Sequence, residues 1–304
     1  MRRSYVKYVV SLLLFGSNGV VASRISMNSY EIVFFRTLVG GLSLLAVYIL
    51  SGRRLRIPEN RKHFIYLIIS GAALGTSWMF LFEAYARIGV SIATLAYYCG
   101  PVLVMALAPV LFRERISGTV LIGLCSVIAG MFLVNCRSLL HGHISHGLLC
   151  GMSSAVMYAV MIIFTKKAAT IKGLQNPMYQ LIAAFCTVAV FTFAKQGIPL
   201  HISRSSILPI LTLGIVNTGI GCYLYFLSVR QLPAQSVAIC GYIEPLSALV
   251  FSALFLGENL TTIQILGAVL ILGGAILGGF HDSEIPGKPG IGSRINNTFS
   301  NGIR

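Results

Sequence analysis

The sequence predicts an all-α polytopic membrane protein: ten transmembrane helices arranged as two inverted five-helix repeats. Three observations predict it. The chain of 304 residues is 56% apolar and only 10% charged, with a mean hydropathy of +0.83. An average soluble domain is about 25% charged, so this chain lacks the polar surface to be soluble, and it is too apolar for intrinsic disorder. Its apolar residues gather into ten runs of about the 20 residues that cross a bilayer as one helix. Shifted by 144 residues, the chain then matches itself at informative positions.

The runs cover 5–23, 30–51, 63–86, 91–112, 117–136, 147–166, 176–194, 206–229, 235–256 and 261–280. They are continuous rather than alternating, and a single spanning segment satisfies its backbone groups internally only as a helix. The first run follows Arg2, Arg3 and Lys7 and ends near Val21-Ala22-Ser23, an onset that a cleaved signal peptide shares. Its counterpart in the second half favours a retained helix. The second run carries Arg36; the third follows the cluster Arg53, Arg54, Arg56, Arg61 and Lys62 and closes on Glu83 and Arg87. The fourth holds Tyr97, Tyr98 and Pro101, the eighth Asn217, and the ninth Tyr242, Glu244 and Pro245. The tenth carries Gly267, Gly273, Gly274, Gly278 and Gly279, whose spacing permits close helix contact within the bundle or in a homodimer. Connections are short. The tail 281–304, rich in Gly, Pro, Ser and Asn, reads as disordered and cytoplasmic, which leaves the Asn296-Asn297-Thr298 sequon without weight.

A net charge of +15 raises the question of nucleic acid, and the distribution answers it. Basic residues sit in short clusters between apolar runs, the pattern of loops beside spans rather than of a basic groove. With the N-terminus inside, 17 Lys and Arg fall in cytoplasmic loops against five outside, Arg36 lying within a span. That bias places both termini on the cytoplasmic side. The seven cysteines are odd in number, scattered and without a C-x-x-C pair, so they read as small buried hydrophobes. His141, His143 and His146 share a loop without Cys or acidic neighbours, and no metal or cofactor is expected.

The 144-residue shift pairs Tyr98 with Tyr242, Pro101 with Pro245, Glu114 with Glu258, Gly123 with Gly267 and Gly130 with Gly274. Gly75 with Gly219 and Phe82 with Phe226 extend the register. The glutamate match weighs most, because the chain has only eight acidic residues. Residues 1–136 and 137–280 are thus read as repeats of five spans each, and an odd number inverts the second relative to the first.

At these residues the chain resembles the drug/metabolite transporter superfamily, specifically its ten-helix EamA-type transporters. The resemblance covers residues 1–280. It is carried by Tyr97-Tyr98-Cys99-Gly100-Pro101 with Leu111-Phe112-Arg113-Glu114, and by Tyr242-Ile243-Glu244-Pro245 with Phe255-Leu256-Gly257-Glu258. It implies a polytopic plasma-membrane carrier, often an exporter of amino acids or other small metabolites. Where the first half has Arg36 the second has Gln180, so the halves differ there.

The residues point to candidate roles. Pro101 and Pro245, about ten residues into their spans, remove a backbone donor and are expected to kink the helices around a central cavity. Glu244 sits mid-span, where a charge costs about 2.5–3.5 kcal/mol. It either carries a proton, coupling export to proton entry, or binds a substrate ammonium, or bonds a carbonyl freed by the proline. Arg36 and Glu83 lie at similar depth, which permits an ion pair; Arg87 offers Glu83 an alternative at i+4. Arg36 unpaired would hold a substrate carboxylate, and Glu83 is a second proton-coupling candidate. Trp78, Tyr98, Tyr242 and Asn217 are expected to line the cavity, and Glu114 and Glu258 to cap helices 5 and 10. The expectation is therefore a secondary transporter in the lipid bilayer exporting a small organic molecule by alternating access. The alternatives are an intramembrane enzyme acting on lipid, which the peripheral histidines disfavour, or a channel. ATP-driven transport is disfavoured by the absence of a P-loop sequence.

Overall fold

The structure, a computed structural model, describes residues 2–52, 60–88, 93, 96–112, 118–139, 146–197, 203–257 and 261–280. Each apolar run of the sequence is a helix: α1 (Arg2–Ala22), α2 (Ser29–Leu50), α3 (Arg61–Ile88), α4 (Cys99–Phe112), α5 (Gly118–Leu139), α6 (His146–Lys167), α7 (Gln175–Gln196), α8 (Arg204–Val229), α9 (Ala234–Leu256) and α10 (Thr262–Phe280). No strand occurs among the described residues. Seven of these are long and apolar enough to cross a membrane, and α4, α5 and α10 carry shorter apolar stretches.

Local chemistry sets the ends. Asn28 opens α2 with a reciprocal cap, its Oδ1 accepting from the Glu31 N–H at 3.0 Å while Glu31 Oε2 accepts from the Asn28 N–H at 3.1 Å. Gly257 closes α9 at φ 71°, a left-handed position that suits only glycine well. Three helices are irregular inside the bundle. A turn at Ser17 interrupts α1, a π-helical stretch Leu213–Ile220 lies within α8, and α9 breaks at Gly241-Tyr242.

The packing carries the repeat. On α5 and α10 a side chain added at Gly130 would meet the Gly267 carbonyl oxygen at 2.5 Å, and one at Gly274 would meet that of Gly123 at the same distance. Each contact is the image of the other under the 144-residue shift, and the pairing runs antiparallel. Between them Ser126 Oγ donates to the carbonyl of Leu270, its own counterpart, at 2.9 Å. Gly75 lies against Ala184 and Gly219 against Ser43 and Gly40, a second image pair. The equivalents α5 and α10 therefore meet antiparallel, while the α3–α7 contact is exchanged with α8–α2, as an inverted arrangement requires. Gly274 packs within the bundle, deciding for that contact between the two roles the sequence left open.

Because lipid offers no hydrophobic drive between helices, such close backbone approach is what holds them. Gly130→Val and Gly274→Val should each destabilise the detergent-solubilised protein by about 1–3 kcal/mol, and to a similar extent. Gly273→Ala, which meets open space, should leave the thermal midpoint unchanged or slightly raised.

Candidate functional site

The two repeat-related breaks organise the centre of the bundle. Ala234–Cys240 forms the first segment of α9, and Ile243–Leu256 the second. In the first repeat, Tyr98 is a turn residue directly before α4. The sequence expectation set the kinks at Pro101 and Pro245; the structure moves them three residues earlier, to Tyr98 and Tyr242. Each proline is the third residue of the segment after the break, in a first turn whose N–H groups have no helical partner to lose. The carbonyl of Tyr98 is satisfied across the repeats, accepting a 2.7 Å hydrogen bond from the Tyr242 hydroxyl. Tyr242 is thus wholly buried and acts as a clamp.

Above the break, Glu244 is half-buried. Helix α1 comes in tightly here: a side chain at Gly16 would lie 2.9 Å from the Glu244 carbonyl oxygen and would strike Ser247. Among the described residues the Glu244 carboxylate has no ion-pair or hydrogen-bond partner, and its oxygens are not occluded. It lies within electrostatic reach of Arg36, Tyr97, Tyr98 and Cys222. Arg36 on α2 is buried, with its guanidinium 4.5 Å over the Trp78 ring and its Nε donating to Thr218 Oγ1 at 3.2 Å. No hydrogen bond occupies its Nη1 or Nη2 among the described residues. Two opposite charges, neither neutralised by a direct ion pair, therefore lie within electrostatic reach of each other near the break.

Aromatic rings lie near the pair. Tyr158 and Tyr225 join hydroxyl to hydroxyl at 3.2 Å. Tyr97 packs on Tyr158, and Tyr8 and Phe15 pack on Tyr225, all with ring centroids 5.4–5.6 Å apart. Gly100 leaves the room Tyr158 occupies, since a side chain there would meet that ring at 2.8 Å. Below, toward the end where the basic clusters lie, the first segment of α9 is at most 1% exposed at every residue. Ser4 donates to Gln231 at 2.6 Å, Tyr5 to Ser236 at 3.0 Å, Tyr8 to the Val237 carbonyl at 2.8 Å, and Lys166 to the Leu232 carbonyl. The bundle is closely packed on that side.

Several expectations are corrected. Arg36 and Glu83 form no ion pair: Glu83 binds Arg87 at 2.7 Å and Lys195 at 3.4 Å and accepts from the Tyr30 hydroxyl. Glu83 stands five residues beyond Trp78, about 140° around α3, so it points away from the face of α3 on which Trp78 meets Arg36. Asn217 does not line the cavity; it is buried and donates to the Leu14 carbonyl and to Ser17 Oγ at 2.7 and 2.8 Å, tying down the interruption in α1. Cys150, Cys222 and Cys240 are buried, as expected of small hydrophobes, but Cys125 and Cys186 are exposed. Glu114, Glu258 and the tail 281–304 lie outside the described residues. The sequence reading missed Tyr8, Tyr225 and Thr218; the 144-residue shift pairs them with Met152, Leu81 and Leu74, so the repeat gave no signal.

The same two halves are seen by comparison with known proteins. The model of the EamA-like transporter family matches twice, over residues 3–136 and 145–279. The chain belongs to the EamA-like transporter family. An uncharacterized transporter of Bacillus subtilis, YxxF, is 26% identical over 275 residues, covering 90% of this chain and 88% of its own. An uncharacterized inner membrane transporter of Salmonella typhimurium, YicL, is 27% identical over 290 residues, with 91% and 95% covered. A protein of known crystal structure superposes with a TM-score of 0.78 at 17% identity, over 91% of this chain and 98% of that one, a likeness of fold. As an EamA-like protein the chain is a multi-pass membrane transporter.

Two substitutions separate support from surface. Tyr242→Phe removes the donor to a buried carbonyl and should cost about 1–3 kcal/mol of stability in thermal or denaturant unfolding. Glu83→Gln loosens pairs whose cations are more than 40% exposed and should cost less than about 1 kcal/mol.

Proposed function

We propose that this EamA-like protein is a secondary transporter that binds a small amphipathic zwitterion of the amino-acid type and exports it by alternating access. The observation that carries the reading is the pair of charges without an ion-pair partner, Arg36 and Glu244, lying close together among aromatic rings, which we read as lining one chamber. A charge held at membrane depth costs about 2.5–3.5 kcal/mol unless a partner or water meets it, and a zwitterion supplies both partners at once. Arg36 presents its two terminal nitrogens to a carboxylate, Glu244 meets an ammonium, and Trp78, Tyr97, Tyr98 and Tyr158 take an apolar side chain. Emptied of substrate, Glu244 is the group that exchanges a proton, which couples export to proton entry. The halves 1–136 and 137–280 tilt against each other about this chamber, in a plasma membrane with both termini cytoplasmic.

Counterflow in proteoliposomes against a panel of amino acids and amphipathic cations, with and without an imposed pH gradient, tests this. Saturable exchange of a zwitterion is expected, with Arg36→Gln lowering it at least tenfold. Glu244→Gln should weaken exchange of the zwitterion, by loss of the ammonium contact, and abolish what remains of the response to the gradient. Wild-type behaviour in both variants, or flux that does not saturate, would end the reading. The topology is tested separately: cysteines introduced at Arg3 and Asn301 in a cysteine-free background should both be labelled only from the cytoplasmic side.

A further inference from the structure

The repeat position that carries Arg36 in one half and Gln180 in the other is treated in opposite ways by the fold. Gln180 is completely buried and fully engaged. Its Oε1 accepts from Ser70 and from Thr165, the latter at 3.0 Å, and its Nε2 donates to Asn176 at 2.6 Å. Nothing in that cluster is left for a ligand. Arg36 has a single hydrogen bond, to Thr218, and the counterpart of Thr218 in the other half is Leu74, which has no hydroxyl.

Thr218 is set up to hold that bond. It lies in the π-helical stretch of α8, and its hydroxyl donates at 2.8 Å to the Leu213 carbonyl, five residues back. With the proton committed there, the lone pairs of Oγ1 are what face Arg36 Nε. The extra residue of the π turn rotates the helix relative to an α-helical register, and such turns recur at functional sites. Two glycines let the threonine reach: a side chain at Gly40 on α2 would meet Thr218 Cγ2 at 2.9 Å, and one at Gly214 on α8 would meet Val39 at 2.5 Å. Arg36 is thus fixed on two sides, by Thr218 at Nε and by Trp78 against the guanidinium plane, with the Nη edge the one side unbound.

We infer that Thr218 is a positioning residue: it holds the Nη edge of Arg36 toward the chamber and thereby makes the site selective for a ligand bearing a planar carboxylate. This rests on the reading of the chamber as a zwitterion site and adds the residue that sets its anion specificity. Holding the fork in place removes the cost of ordering a long side chain when the carboxylate arrives.

Trp78 is the one tryptophan of the chain, so its fluorescence reports the position of Arg36 without any ligand. In purified protein, Thr218→Val should shift the Trp78 emission toward that of Arg36→Met, while Thr218→Ser, which keeps the oxygen, should match the wild type; Thr218→Ala replaces valine if that variant does not fold. Titration then uses 4-methylpentanoate, which has the carboxylate alone, and isopentylamine, which has the amine alone. The valine variant should bind the acid about tenfold more weakly and the amine as the wild type does. Unchanged emission in Thr218→Val, emission in Thr218→Ser equal to that of valine, or equal losses for both probes would overturn the inference. Failure of the wild type to bind either probe would instead count against the zwitterion reading, and the ligand-free emission comparison would still decide the role of Thr218.

Discussion

A carbonyl released by a broken helix inside hydrocarbon has no water to bond, and leaving it bare costs several kcal/mol. This constraint governs the centre of the protein. Two breaks, at Tyr98 and at Gly241-Tyr242, stand at equivalent positions of inverted repeats, so the antiparallel packing brings them face to face. The Tyr242 hydroxyl satisfies the carbonyl of its own counterpart. The other interruption is met by local backbone bonds, the Tyr242 N–H donating to the Ile239 carbonyl at 3.2 Å and the Glu244 N–H to the Gly241 carbonyl at 3.1 Å. Glu244, just beyond it, has no side-chain partner among the described residues.

The halves meet at that centre unequally. Between α3 and α6 the contacts are small and polar: Ser77 and Ser154 exchange hydrogen bonds with each other's carbonyls at 2.9 and 2.7 Å, and a side chain at Gly151 would lie 3.9 Å from that of Ala84. Between α1 and α8, the equivalent pair, Tyr8, Phe15 and Tyr225 stand in the gap. Small residues draw the first pair into close contact, as packing in lipid requires. Bulky rings hold the second pair apart and give the proposed chamber its wall. The asymmetry lies in side-chain size, not topology, so duplication of one five-helix plan yields one rigid flank and one lined flank.

Spans, repeat and inversion were legible in the sequence because they depend on run length, on an odd number of helices and on a handful of matched residues. Arg36 and Glu244 stood out because charge at membrane depth is costly wherever it points. Direction was the illegible part. A helix that is apolar all round carries no stripe to separate its lipid face from its packed face: on α1, Val6 is 57% exposed while Leu12 is 1% exposed. Tyr8 and Tyr225 could not be told from an interfacial belt for the same reason. Asn217 and Thr218 are neighbours of similar polarity, yet one ties α1 and the other holds Arg36, a division that a π turn makes and no periodicity announces. The proline offset has a different cause, since the sequence shows where a donor is missing but not which turn can tolerate its loss.

The packing at the basic end follows the same logic of unequal halves. Ser4, Tyr5, Tyr8 and Lys166 bind the connection and first segment of α9 through side-chain hydrogen bonds. Their counterparts under the 144-residue shift are Leu148, Leu149, Met152 and Ala22, apolar side chains that donate no hydrogen bond, with Leu149 64% and Met152 38% exposed. Dispersion contacts yield gradually as helices slide, whereas each hydrogen bond broken in a dry interior leaves two polar groups to be rehydrated. In the proposed alternating-access cycle, opening this end would require water to meet the polar groups that these bonds release.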